Sequence, residues 1–108
     1  MFKRKNKFNA KKTWVDGQLC DSKKEAKHYA QLLILEKANE IVGLKLHPRY
    51  PILINGVKIC NVVLDFEFID LTTNKKRHID VKGVYTSESK LRHKLLEATH
   101  NIKVEIWK

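Results

Sequence analysis

Two nearby stretches, Val62-Val63-Leu64-Asp65-Phe66-Glu67-Phe68-Ile69 and Arg77-His78-Ile79-Asp80-Val81-Lys82, alternate apolar and polar residues. Side chains along a β-strand point to opposite faces in turn, so each stretch reads as a strand with one apolar face. On the first, Leu64, Phe66 and Phe68 share a face, and Asp65 and Glu67 take the other. On the second, Ile79 and Val81 share a face, and His78, Asp80 and Lys82 the other. A hairpin must join apolar face to apolar face, and a slip of one residue would invert every side chain. Phe66 therefore pairs with Ile79 or Val81, Asp65 faces Asp80 or Lys82, and the turn centres within the polar Thr72–Asn74. The packing needs of the sheet alone gather Asp65, Glu67, Asp80 and Lys82.

Carboxylates grouped in this way repel one another unless a cation joins them. Hard oxygen donors with few dedicated protein groups suit Mg²⁺ or Mn²⁺. A lysine two residues beyond Asp80 shares its face, where it can orient or deprotonate a water or neutralise a phosphate. A solvated open sheet face explains any one of these residues. It does not explain acids on neighbouring strands of a chain whose 22 Lys and Arg outnumber 12 Asp and Glu, for a formal charge of +10.

That charge favours a polyanionic partner, of which nucleic-acid backbones are the commonest. Residues 1–12 hold six Lys and Arg and no acid, and read as a flexible basic arm in which Lys3, Arg4, Lys5 and Lys7 are candidate phosphate contacts. The apolar runs are too short for a membrane helix, and no apolar stretch follows the basic start as a secretory signal would require. Cys20 and Cys60 are too far apart for a zinc motif and read as reduced thiols of a cytoplasmic protein.

At 108 residues the chain is one domain, residues 13–108 following the arm. Thr13-Trp14-Val15 and Gln18-Leu19-Cys20 flank Asp16-Gly17 as an N-terminal hairpin. Ser22 to about Asn39 reads as a helix, with Ala26, Tyr29, Ala30, Leu32 and Leu33 at helical spacing and Gly43 as its stop. Leu44–Tyr50 alternates as a strand before Pro51, and Ile52–Ile54 and Val57–Ile59 flank Asn55-Gly56, a second hairpin signal. Val62–Leu71 and Arg77–Lys82 are the strands described above, joined by Thr72–Lys76 and ended by Gly83. Ser87–Thr99 reads as a helix with Leu91, Leu95 and Ala98 on its apolar stripe, and Ile102–Trp107 as a last strand. The expected fold is α/β (α+β): a central mixed sheet flanked by two helices, in the order helix, three-strand meander, helix, strand. Trp14, Trp107, Phe66 and Phe68 are expected in the core and Glu36 on the surface.

Asp65 followed by Ile79-Asp80-Val81-Lys82-Gly83 resembles the PD-(D/E)XK nuclease signature, with Leu64 where a proline often stands. Asp21-Ser22-Lys23-Lys24-Glu25-Ala26 resembles the opening of that superfamily's first helix, which supplies a further carboxylate. Over nearly its full length the chain looks like a small phage endonuclease-like family long labelled a domain of unknown function. The resemblance implies a restriction-endonuclease-like domain. It implies that Asp65, Asp80 and the Val81 carbonyl bind Mg²⁺ (or Mn²⁺), that Glu25 binds it directly or through water, and that Lys82 positions the water. Lys90 and Lys94, at i and i+4 on the second helix, would grip a phosphate.

Ser22-x-x-Glu25 is also a capping box, which accounts for the spacing of that glutamate without chemistry. The expected activity is metal-dependent cleavage of nucleic acid, DNA foremost, including branched recombination or replication intermediates. A homodimer is compatible with these readings, since junction cutting normally needs two active sites. A basic nucleic-acid-binding module that keeps the fold without cleavage is the alternative.

Overall fold

The computed structural model describes residues 13–15, 17–20 and 22–108, so Asp16 and the basic arm with Lys3, Arg4, Lys5 and Lys7 lie outside the described residues. The elements run β1 (Thr13–Val15), β2 (Gln18–Cys20), α1 (Lys23–Lys37), β3 (Ile41–Leu46), β4 (Arg49–Ile54), β5 (Val57–Val63), β6 (Phe66–Asp70), β7 (Lys75–Val81), α2 (Ser87–His100) and β8 (Val104–Trp107). They form one α/β (α+β) domain around a four-stranded mixed sheet of order β3-β6-β7-β8, in which β7 and β8 are parallel. Two antiparallel ribbons, β1–β2 and β4–β5, complete it.

The register of the β6–β7 hairpin is the one its apolar faces require. Phe66 lies opposite Ile79, Glu67 opposite His78, and the turn falls within Leu71–Asn74. Asp70 Oδ1 accepts from the Thr72 N–H at 2.9 Å, and Asn74 takes the left-handed conformation that closes the turn. At the Asn55-Gly56 turn both residues have positive φ, as a type I′ connection requires.

Successive residues on β7 divide the molecule into two cores. Ile79 faces α1, whose Ala26, Tyr29 and Leu32 pack with Phe66, Phe68, Ile41 and Cys20. The Tyr29 and Phe66 rings stack with centroids 6.1 Å apart. Asp80 points the other way, toward α2 and the β4–β5 ribbon, where Leu96, Ile52, Val62 and Leu64 form a second cluster. Burying each such side chain is worth roughly 1.5–3 kcal/mol, so the helices hold the sheet from both sides.

Several expectations need correction. Val62–Leu71 is not one strand: β5 ends at Val63 and β6 begins at Phe66, with Leu64-Asp65 between them. Leu44–Tyr50 is likewise divided at His47-Pro48, because Pro48 has no N–H to give to a ladder. The two breaks face each other, with His47 N–H donating to the Asp65 carbonyl at 2.9 Å and Leu64 N–H to that of Pro48 at 3.1 Å. β3–β4 and β5–β6 thus form one long hairpin, bent at a shared hinge without a change of register between Leu46↔Phe66 and Arg49↔Val63.

Gly43 does not stop α1. The helix ends at Ala38 with Asn39 left-handed, and Gly43 (φ +70°) sits in β3 where the register shifts between Val42 and Lys45. Glu36, expected at the surface, is half-buried, and its Oε2 accepts from the Leu44 N–H at 3.3 Å beside that irregularity. On α2 the buried residues are His93 and Leu96, while Leu91 is 59% exposed, because the helix lies over the polar Asp80 side of β7. Trp14 is 69% exposed rather than buried, since its short ribbon leaves that face uncovered. Phe66 and Phe68 are core, with Trp107 packed half-buried against them. Among the described residues no helix is long and apolar enough to cross a membrane, and Cys20 and Cys60 form no disulfide with each other.

Candidate active site

At one end of the sheet the first turn of α1, the His47 break, the Asp65 break and the end of β7 converge. Between them lies a cleft of about 330 Å³ lined by Glu25, His47, Asp65, Asp80, Val81 and Lys82, with Ser22, Val63 and Leu64. Each side chain arrives for a local reason. Ser22 caps α1, its Oγ accepting from the Glu25 N–H at 3.1 Å, so the helix begins where Glu25 can turn inward with Tyr29 and Leu32. The Glu25 side chain is buried, with Oε1 2.5 Å from His47 Nε2. A capping glutamate could have stayed in water, whereas this one faces the cleft.

Asp65 is placed by its own backbone and by β7. Its N–H donates to the Ile79 carbonyl at 3.0 Å, and its Oδ2 accepts from the Val81 N–H at 2.6 Å. Val81 thus meets the site first as a donor. Burial, the hydrogen bond with Asp80 and the charges of Asp80 and Glu25 push the Asp65 carboxyl up to about 9, although the Val81 N–H pulls it down. Asp80 is buried, and its Oδ2 lies 2.8 Å from His93 Nε2 and 3.3 Å from Lys82 Nζ. The structure therefore brings Glu25, Asp65, Asp80, Val81 and Lys82 together, as their sequence pattern implies.

Glu67 is not with them. It is buried within the ladder between Lys45 and His78, accepts from the Tyr50 hydroxyl, and lies 3.4 Å from Lys76 Nζ and 3.7 Å from Lys45 Nζ. Burial raises its carboxyl, but Tyr50 and Lys76 outweigh this and hold it below the ordinary range. Burial, with the Glu67 contact, in turn keeps the Tyr50 phenol protonated well above its usual range. His78, opposite Glu67, is buried against the Tyr50 ring and is also absent from the cleft lining.

Two histidines contribute that the sequence reading missed. His47 is carried in by the hinge, for which Pro48 was the available signal. His93 is the buried polar residue of α2, its Nδ1 2.8 Å from the Tyr85 hydroxyl. Its spacing of three residues from Leu96 on the buried stripe was visible, but only the docking of α2 shows that it meets Asp80. Lys90 and Lys94 do not line the cleft. With Tyr85, His93, Glu97, Lys103 and Val104 they line a second one of about 410 Å³, joined to the first by the His93–Asp80 contact.

The donor set fits a divalent cation. Glu25, His47 and Asp65 each offer a ligand atom, all within 4.8 Å of one another, and Asp80 adjoins Asp65. Burial and the neighbouring Asp80 and Glu25 carboxyls raise the Asp65 carboxyl, and a divalent ion held there would offset the gathered charge.

Fold and site together define a small α/β domain with a carboxylate-rich cleft at the bend of a hairpin. Residues 5–107 match the family described as a protein of unknown function (DUF1064), and the chain belongs to that family. No curated protein and no solved structure matches the chain.

Proposed function

We propose that this protein is a metal-dependent endonuclease of the PD-(D/E)XK kind, cleaving phosphodiester bonds of nucleic acid, with DNA as the expected substrate. The observation that carries this reading is the meeting of Glu25, Asp65, Asp80 and Lys82, from three separate segments, in one cleft beside a lysine-lined one. Glu25, Asp65 and Asp80, with the Val81 carbonyl, would hold Mg²⁺ or Mn²⁺. Such an ion stabilises charge developing on a phosphate in the transition state.

The protein's own groups supply the rest. Lys82, 3.3 Å from Asp80, stands at the cleft wall, where its ammonium can orient the attacking water and offset charge on the phosphate. Asp80 keeps that ammonium in place. Lys90, Lys94 and Lys103 would hold neighbouring phosphates, so that the scissile one is delivered to the cleft. The excess of 22 basic over 12 acidic residues favours such a polyanion throughout.

The test is a cleavage panel of linear duplex, single strand, flap, four-way junction and RNA, with Mg²⁺, Mn²⁺ or EDTA. Cleavage that needs the cation and is lost in Asp80→Asn supports the proposal. Salt-sensitive binding with no cleavage of any substrate would replace it with the binding-module reading. Undiminished cutting by Asp80→Asn would overturn the site assignment.

A further inference from the structure

The cleft contains one donor that the sequence pattern did not supply, and it is a nitrogen. His47 occupies the hinge between β3 and β4, with φ near +55°, a conformation that costs a non-glycine residue on the order of 1 kcal/mol and persists only where its surroundings hold it. Here they do. The His47 N–H is fixed to the Asp65 carbonyl at 2.9 Å, and the next pair across the hinge, Leu64 and Pro48, is bonded at 3.1 Å. The backbone of His47 is therefore built against that of Asp65. Its imidazole lies against Glu25, 2.5 Å from Nε2 to Oε1, on the cleft wall.

Donors around one octahedral ion with bonds of about 2.1 Å lie roughly 3 Å apart when adjacent and about 4.2 Å apart when opposite. The ligand atoms of Glu25, His47 and Asp65, all within 4.8 Å of one another, match that spacing with little movement. With His47 among these donors the cleft departs from the all-oxygen set that Mg²⁺ prefers, since Mg²⁺ takes oxygen and keeps its waters. Carboxylates suit both Mg²⁺ and Mn²⁺, whereas imidazole suits first-row transition ions, so one imidazole among carboxylates favours Mn²⁺ over Mg²⁺.

We infer that His47 is a metal ligand and that it makes the cleft select Mn²⁺ over Mg²⁺. This rests on the metal reading of the cleft given above, though not on cleavage. His47 reaches the site only because the hairpin bends where Pro48 interrupts the ladder, so the hinge sets the identity of the ion as well as its position.

The experiment is ion binding by the full chain without nucleic acid. MnCl₂ and MgCl₂ are titrated separately by calorimetry, and the Mn²⁺-loaded protein is examined by electron spin echo modulation for ¹⁴N coupling. The wild type should bind Mn²⁺ at least about tenfold more tightly than Mg²⁺ and show imidazole nitrogen coupling. In His47→Asn, which tolerates the positive φ, the coupling should vanish. Its Mn²⁺ affinity should fall about tenfold or more, while Mg²⁺ affinity changes by less than about threefold.

Equal wild-type affinities, no nitrogen coupling in the wild type, or coupling that survives in His47→Asn would each overturn the inference. The first two need no variant, so a folding defect in His47→Asn leaves them decisive. Failure of the wild type to bind either ion would remove this inference and the metal reading together. Mn²⁺ selectivity in a protein that cleaves nothing would remove the nuclease reading and leave His47 as a ligand.

Discussion

His93 Nε2 lies 2.8 Å from Asp80 Oδ2, and the other nitrogen of the same ring lies 2.8 Å from the Tyr85 hydroxyl. The Asp80 carboxylate only accepts, so Nε2 carries a proton, and in the neutral ring Nδ1 is left to accept from the Tyr85 hydroxyl. Tyr85 thereby sets the tautomer of His93, and His93 orients Asp80, which also faces Lys82 at 3.3 Å.

Replacing His93 should therefore act in two ways. His93→Phe leaves buried Asp80 and the Tyr85 hydroxyl without this partner, and should cost about 1–3 kcal/mol in urea unfolding. Cation affinity should fall by about tenfold or more. Tyr85→Phe, which removes only the tautomer control, should weaken cation binding less and leave stability within about 1 kcal/mol. Unchanged cation binding in folded His93→Phe would limit the ring to packing.

Asp80→Asn and Lys82→Ala should each lower metal-dependent cleavage on the order of 100-fold or more. Both should still bind DNA if the lysines of the other cleft and the excess charge supply the phosphate contacts, as proposed. Cleavage rates and a mobility-shift assay on the same preparations separate the two effects.

Glu25→Gln separates a helix cap from a cation ligand. Glutamine keeps the shape beside His47 and can serve the helix start, so stability should change by less than about 0.5 kcal/mol. Cleavage should fall at least about tenfold, a loss of ~1.4 kcal/mol in transition-state stabilisation. Thermal melting and a Mg²⁺- or Mn²⁺-dependent rate measure both, and a wild-type rate would strike Glu25 from the site.

Glu67 should behave differently from the other acids. Its folded carboxyl is held below the ordinary 4.5 despite burial, through Tyr50, Lys76 and Lys45. The stability this provides is present above the unfolded value and is lost as pH falls through and below about 4.5. Glu67→Gln should flatten that part of the acid limb in pH-dependent unfolding and leave cation binding unchanged. A loss of cation binding would return Glu67 to the site.

Lys90, Lys94 and Lys103 line one cleft, so their contributions to binding should appear as salt dependence. Changing all three to Gln should reduce the slope of log affinity against log salt by roughly one unit per lost phosphate contact. Deleting residues 1–12 should do the same for Lys3, Arg4, Lys5 and Lys7. An unchanged slope for either variant would assign that group of charges another partner.

Local chemistry made much of this legible from residues alone. The β6–β7 register follows from Phe66, Phe68 and Ile79 needing a common face, and the same register brings Asp65 to Asp80. Ser22, the Tyr29–Leu32 stripe and Asn55-Gly56 act within a few residues of themselves, so α1 and the β4–β5 turn could be read directly. What the alternation could not show was where a strand bends. Val62 to Ile69 keeps its period in sequence, yet Asp65 leaves the ladder because Pro48, distant in the chain, faces its neighbour Leu64.

Asp65, Asp80 and Lys82 thus meet in the cleft as a consequence of strand period, and Glu25 joins them through its helix start, both properties of the sequence. The histidines are a consequence of docking. His47 reaches Glu25 only when two strand breaks align, and His93 reaches Asp80 only when α2 lies over the polar side of β7. Glu67, which shares the alternating pattern of Asp65, is separated from it by the same bend and enclosed by Tyr50 and lysines from β3 and β7. Periodicity decides which face a side chain takes; long-range packing decides which other side chains it meets there.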